Sequence, residues 1–166
     1  MGVYYLEPSA LVKYYVTEAG SAWTHSLVDA EENVLVTAEI SITEVSAALA
    51  VIARIGRISK RRCDELWAKF KRDLLVQYEL LPTSRAIVDH GAELCQKHPL
   101  RGFDAIHLAS GLLLQEVLQE EMAGQTIICV TGDDSLLTAA QAEGLVVDDP
   151  FWHSDMDVQA SEGAKK

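Results

Sequence analysis

The sequence predicts an α/β fold in which a central parallel sheet of about four or five strands is flanked by helices on both sides. Short apolar runs rich in β-branched residues alternate with longer segments whose apolar residues recur at helical spacing. Parallel strands need crossover connections, and helices supply these connections while covering both faces of the sheet. The chain has 166 residues, which suits one domain with a sizeable core.

The first strand is predicted over residues 3–6, and an acid and a proline follow it directly. Pro8 suits the first turn of a helix, because the N–H that proline lacks would have no partner there. The apolar residues that follow recur at helical spacing, as Leu11, Val12, Tyr15 and Val16. The predicted order is therefore strand, acid, helix, with Glu7 at the junction.

The remaining elements continue this alternation. A short helix is expected after Ser21, and further helices are predicted over residues 40–55, 59–76, 83–97, 102–122 and 133–143. Further strands are predicted at residues 34–36, 78–81, 126–130 and 145–147. Residues 1–153 are expected to form a single domain. The small and polar residues at 154–166 predict a flexible C-terminal tail without function.

Charge and hydropathy limit the classes of partner. The net charge of −11 weighs against a protein that holds nucleic acid by broad phosphate neutralisation. Basic residues do cluster at Arg54, Arg57, Lys60, Arg61 and Arg62, where a solvated helix face is at least as good an interpretation as an RNA track. The apolar runs are too short for a membrane span, and no secretory signal opens the chain. We therefore expect a cytoplasmic protein that does not contact membranes.

Four acids stand where a functional site is expected. Glu7 and Asp133 follow predicted strands, and ligands of open parallel sheets collect at the carboxyl ends of the strands. Glu44 and Asp104 lie near the starts of helices among apolar neighbours, where a carboxylate is costly to bury unless it is paired or binds a metal. Arg101 precedes Asp104 by three residues and is a candidate partner.

Each acid taken singly is sufficiently explained by stabilisation of a helix N-terminus. Together they indicate a site, because converging carboxylates repel one another unless they are protonated or bridged by cations. Oxygen ligands of this kind select Mg²⁺ or Mn²⁺. Such a metal activates water and stabilises the leaving oxygen in phosphodiester cleavage.

The chain resembles the PIN domain family in four segments, in order and spacing. These segments are Tyr5-Leu6-Glu7-Pro8-Ser9-Ala10-Leu11-Val12-Lys13, Thr43-Glu44-Val45-Ser46-Ala47-Ala48-Leu49, Phe103-Asp104-Ala105-Ile106-His107-Leu108-Ala109 and Val130-Thr131-Gly132-Asp133. The similarity is greatest to the VapC toxins of VapBC toxin-antitoxin pairs and extends over residues 3–151.

The resemblance implies a PIN-like fold and a Mg²⁺- or Mn²⁺-dependent endoribonuclease. The metal-binding acids would be Glu7, Glu44, Asp104 and Asp133, with Asp134 as the alternative to Asp133. Ser9 and Thr131 would be accessory hydroxyls. The implied partners are an RNA substrate, a small antitoxin protein and a second copy of the chain in a homodimer.

One departure from the family pattern bears on activity. The first acid of PIN domains is normally aspartate, whereas this chain has Glu7 followed by proline. The longer side chain shifts the carboxylate by about one carbon–carbon bond, and Mg²⁺ demands near-ideal octahedral geometry. The alternative function is therefore a catalytically weakened or inactive PIN module that acts as a binding partner.

Two further interpretations remain open from the sequence. A phospho-acceptor or phosphatase-like domain also carries acids after its strands, but it normally uses an aspartate where this chain has Glu7. His107 lies one turn after Asp104 and is expected either to orient that acid or a phosphate, or to be a core residue, which is the commoner case.

Overall fold

A computed structural model describes residues 2–121 and 124–163. Five parallel strands form one sheet in the order β3-β2-β1-β4-β5. The strands are β1 (Val3–Leu6), β2 (Val34–Ala38), β3 (Glu79–Leu81), β4 (Ile127–Val130) and β5 (Val146–Asp148). The predicted α/β class and the parallel sheet are confirmed.

Eight helices connect and cover the strands within the described ranges. They are α1 (Pro8–Tyr15), α2 (Ser21–Val28), α3 (Ser41–Arg54), α4 (Lys60–Val76), α5 (Arg85–Lys97), α6 (Gly102–Glu121), α7 (Asp134–Ala142) and α8 (Asp155–Gly163). A 3₁₀ turn, Pro150–His153, precedes α8. No helix in residues 2–121 or 124–163 is long and apolar enough to cross a membrane.

The sheet has a core on each face because successive strand residues point to opposite sides. Leu6 and Leu35 pack against α1, α2, α3 and α4, whereas their neighbours Tyr5 and Val36 pack against α5, α6 and α7. Both faces of the strands are therefore apolar, as expected for a parallel sheet covered on two sides.

Strand order places the ends of β1 and β4 side by side. From β1 the sheet extends through β2 to β3 on one side. The chain then crosses to the other side of β1, where it forms β4 and β5. Leu6 pairs with Val130 at the last register position, and the Glu7 N–H donates to the Val130 carbonyl at 3.0 Å. The order of the strands reverses here, and such switch points are where open α/β sheets bind ligands.

The predicted boundaries agree with the structure to within two residues for most elements. Ser59 caps α4 as predicted, since its side chain accepts the Arg62 N–H. Tyr78, predicted to begin a strand, precedes β3 and shares a 3.3 Å hydrogen bond with Tyr15. The predicted end of α6 at Met122 lies outside the described residues.

The structure has a helix, α8, where the composition of residues 154–166 predicts a flexible tail. Asp157 of this helix accepts hydrogen bonds from the N–H groups of Gly20 at 2.6 Å and Ala22 at 2.8 Å, at the start of α2. His153 stacks on Trp23 with ring centroids 4.4 Å apart. A negatively charged side chain stabilises a helix N-terminus, so Asp157 stabilises the start of α2. The residues in this contact are too far apart in the sequence for composition to predict it.

Candidate active site

Glu7 is buried at the end of β1, where its side chain also caps α1. Only 6% of its surface is exposed. Its Oε2 accepts the Ser9 N–H at 3.0 Å, the Thr131 hydroxyl at 3.0 Å and the Ser9 hydroxyl. The two hydroxyls named from the sequence therefore both contact the first acid.

The loop after β4 is tied to α1 through the same hydroxyls. The Gly132 N–H donates to Ser9 Oγ at 2.8 Å, and the Asp133 N–H donates to Thr131 Oγ1 at 3.1 Å. These contacts fix the position of Asp133 relative to Glu7 across the switch point.

Asp133 caps α7. Its Oδ1 accepts the N–H groups of Ser135 and Leu136, both at 2.9 Å. Asp133 is half-buried, whereas the alternative acid, Asp134, is the exposed first residue of the helix. The negative charge of Asp133 is one of the causes that raise the pKa of Asp104.

Asp104 lies half-buried in the first turn of α6. Its Oδ2 accepts the backbone N–H of Arg101 at 3.2 Å. No ion pair joins the two side chains in the described parts of the chain, so Arg101 holds this acid mainly through its backbone. Burial raises the pKa of Asp104, and the charges of Asp133 and Glu44 raise it further, against the lowering effect of Arg101.

Glu44, in the first turn of α3, is held by a buried histidine. His107 Nε2 donates to Glu44 Oε2 at 2.7 Å, and His107 Nδ1 shares a 2.8 Å hydrogen bond with the Tyr5 hydroxyl. Burial raises the pKa of Tyr5 well above its ordinary value, so the phenol stays protonated and is available to donate to Nδ1. His107 is thus a core residue, as the commoner interpretation had it, but one whose partner is Glu44 rather than Asp104.

One feature is common to the four acids. Each has one carboxylate oxygen fixed by protein hydrogen bonds, and within the described residues the other oxygen accepts none. The fixed oxygens are Glu7 Oε2, Glu44 Oε2, Asp104 Oδ2 and Asp133 Oδ1. Fixing one oxygen orients the carboxylate and leaves the second oxygen available to a ligand.

The electrostatics indicate a site that favours a cation. Burial raises the pKa of Glu7, although the electrostatic effect of the nearby His107 and the hydrogen bonds from Ser9 and Thr131 oppose this rise. Two acids with raised pKa values, Glu7 and Asp104, therefore lie where their negative charge is poorly stabilised by the protein alone.

The side chains do not form a closed metal cage as they stand. Across residues 2–121 and 124–163, no three His, Cys, Asp or Glu side chains are grouped closely enough to hold a metal ion. The donor set nevertheless suits Mg²⁺ or Mn²⁺, because each acid supplies an oxygen without a protein partner. A bound ion would have to draw these oxygens together.

Comparison with known proteins identifies the family. The PIN domain family matches residues 4–136, which include all four acids. The chain belongs to the PIN domain family. This PIN domain is similar to two curated proteins of Mycobacterium tuberculosis, Ribonuclease VapC45 (strain CDC 1551 / Oshkosh) and Ribonuclease VapC49 (strain ATCC 25618 / H37Rv). Each is 30% identical over 151 residues, which cover 87% of this chain and 93% of the relative.

Solved structures share the fold of this PIN domain at low sequence identity. FitAcB from Neisseria gonorrhoeae matches with a TM-score of 0.61 and 16% identity, covering 91% of this chain and 99% of that chain. VapBC2 from Rickettsia felis, bound to a DNA fragment from its promoter, matches with a TM-score of 0.59 and 12% identity, covering 89% and 98%. PAE2754 from Pyrobaculum aerophilum matches with 0.55 and 20%, covering 96% and 90%. These likenesses confirm the PIN-like fold.

Proposed function

We propose that this PIN domain is a Mg²⁺- or Mn²⁺-dependent endoribonuclease and the toxin of a toxin-antitoxin pair. The observation that carries the proposal is the arrangement of the four acids, each with one oxygen anchored and the other without a protein partner. The two relatives named as ribonucleases add support for RNA as the substrate.

Glu7, Glu44, Asp104 and Asp133 would hold the metal, and Ser9 and Thr131 would orient Glu7 through its Oε2. When bound, the metal would supply activation of water and stabilisation of the leaving oxygen in phosphodiester cleavage. Within the protein, His107 fixes one oxygen of Glu44 by a hydrogen bond, and the N–H groups at the start of α7 fix one oxygen of Asp133.

A small antitoxin protein is the proposed partner. Support comes from the fold, since a similar solved structure is described as a toxin-antitoxin complex from Klebsiella pneumoniae, with a TM-score of 0.57. The homodimer and the cytoplasmic location remain predictions from the family resemblance and from the sequence.

Expression of the wild-type chain without an antitoxin is expected to arrest growth, and Asp104→Asn is expected to abolish the arrest because it removes one metal-binding oxygen. Asp89→Asn is the matched control, since Asp89 is an exposed acid of α5 whose one ion pair among the described residues is with Arg85 at 2.8 Å. Growth and the level of soluble protein are measured after induction.

A wild-type chain that is harmless at a normal soluble level would favour the alternative, an inactive PIN module whose first acid is Glu7. Arrest by Asp104→Asn equal to that by the wild type would place the toxicity elsewhere in the chain. The proposal is supported if the wild type and Asp89→Asn arrest growth and Asp104→Asn does not.

A further inference from the structure

Phe151 is an aromatic residue that is exposed and yet fixed in position. Its surface is 46% exposed. A methyl group at Gly132 would lie 3.1 Å from its Cε2, so the edge of the ring lies against the loop that carries Asp133. The Phe151 N–H donates to Asp149 Oδ1 at 2.8 Å, which fixes the backbone below the ring.

A buried cation covers one face of this ring. Lys13 Nζ lies 3.7 Å from the ring centroid, and only 2% of Lys13 is exposed. The ammonium group is itself held by Glu18 Oε1 and the Ala19 carbonyl, both at 3.0 Å. Lys13 therefore lies on one face of the Phe151 ring and Gly132 at one edge, and the residue still has 46% of its surface exposed.

The ring lies beside the proposed catalytic acids. The same methyl group at Gly132 would be 3.5 Å from Ser9 Oγ, and Ser9 is bonded to Glu7. Gly132 and Ser9 therefore connect Phe151 to the first acid. It lies outside the segment that matches the PIN domain family, which ends at residue 136.

We propose that Phe151 is a stacking platform for an unpaired base of a single-stranded RNA substrate. This inference rests on the proposed function and names a residue that would bind the RNA substrate. A base stacks on an exposed aromatic ring only when it is unpaired. The contact has little preference for base sequence, because every base has a π-face. A rigid ring binds without a large loss of side-chain entropy.

The charge of the protein favours this mode of binding. A chain with a net charge of −11 gains less from phosphate contacts than a basic protein would, so metal ions and contacts to bases carry more of the affinity for RNA. The Lys13 ammonium, itself paired with Glu18, contacts the ring on the face opposite the proposed stacking face and holds the ring in place.

Phe151→Leu tests the platform because leucine keeps the apolar contact with Gly132 but has no π-face. We expect its KM for a short single-stranded RNA to rise about 5- to 100-fold with kcat little changed, since stacking is worth about that factor per base. Phe151→Tyr is expected to keep the wild-type KM, because tyrosine retains the aromatic ring. Leu75→Ala is the control for loss of an exposed apolar side chain, because Leu75 lies 85% exposed at the end of α4.

Stacking is measured directly with a short RNA that carries 2-aminopurine, with Ca²⁺ in place of Mg²⁺. Stacking quenches 2-aminopurine fluorescence, so the wild type and Phe151→Tyr are expected to quench it and Phe151→Leu to lose most of the effect. A purely structural role would lower the Tm and kcat of Phe151→Leu without changing the quenching at saturation.

The outcomes separate the two proposals. If the wild type cleaves RNA and Phe151→Leu keeps the wild-type KM and quenching, the platform is rejected and the ribonuclease stands. A fall in Tm and kcat without a change in KM or quenching also rejects the platform. If the wild type neither cleaves RNA nor quenches the probe, the proposed function fails, and the platform with it.

Discussion

Asp104→Asn is expected to reduce RNA cleavage by the purified chain by about 100-fold or more. Loss of an outer partner of a metal ligand typically costs about 10- to 100-fold in affinity or activity, and loss of a ligand itself should cost at least as much. Single-turnover cleavage of a labelled RNA with Mn²⁺ measures the effect. Asp89→Asn, on the exposed face of α5, should cleave at the wild-type rate.

The same substitution is expected to leave the metal-free protein as stable as the wild type or more stable at neutral pH. Burial and the charges of Asp133 and Glu44 raise the pKa of Asp104, so the folded state favours its protonated form. Ionisation of Asp104 therefore destabilises the fold as pH rises from the ordinary aspartate pKa through the raised value. Asparagine removes this charge at every pH.

Thermal unfolding without metal, measured from about pH 3 to pH 8, tests whether ionisation of Asp104 destabilises the fold. The Tm difference between Asp104→Asn and the wild type should be smallest at the acid end, grow as pH rises and then level off. A variant that loses stability at neutral pH and regains it in acid would contradict the electrostatic repulsion inferred among the acids.

Gly20→Ala is expected to destabilise the fold by about 2–5 kcal/mol, the sum of a left-handed backbone penalty and an overpacking cost. Gly20 has φ +85°, and a methyl group there would lie 2.5 Å from the Pro150 carbonyl oxygen. The added volume would push the 3₁₀ turn away from α2, and with it Phe151.

Gly56→Ala separates these two costs. Gly56 has φ +80°, but among the described residues no atom beyond its chain neighbours lies within 4 Å of the added methyl group. Its expected cost is therefore only the backbone penalty of about 1–2 kcal/mol. Urea unfolding of both variants gives the difference, and equal destabilisation would mean that the contact between Gly20 and Pro150 does not constrain the C-terminal segment.

Local patterns were sufficient to predict the fold. The alternation of β-branched runs with helical periodicity located all five strands, and Pro8 marked the start of α1. The position of Glu7 directly after β1 and of Asp133 shortly after β4 was enough to place both at the carboxyl edge of the sheet, because parallel strands end at the same edge.

Contacts between distant parts of the chain were not predictable in the same way. His107 reaches Glu44 across 63 positions, and the contact joins two helices, α6 and α3, that pack on opposite faces of the sheet. Asp157 caps α2 from 137 positions away, so the composition of the C-terminal residues gave no sign of it. Phe151 is one of several exposed aromatic residues in the sequence, and only its contacts with Lys13 and Gly132 distinguish it.

The central claim is that the four acids act through a divalent metal, and removal and return of the metal test it most directly. The purified chain is treated with EDTA, assayed on a single-stranded RNA, and assayed again after addition of Mn²⁺ in excess. EDTA is expected to abolish cleavage and Mn²⁺ to restore it in the wild type but not in Asp104→Asn. Cleavage that persists undiminished in EDTA would contradict the claim.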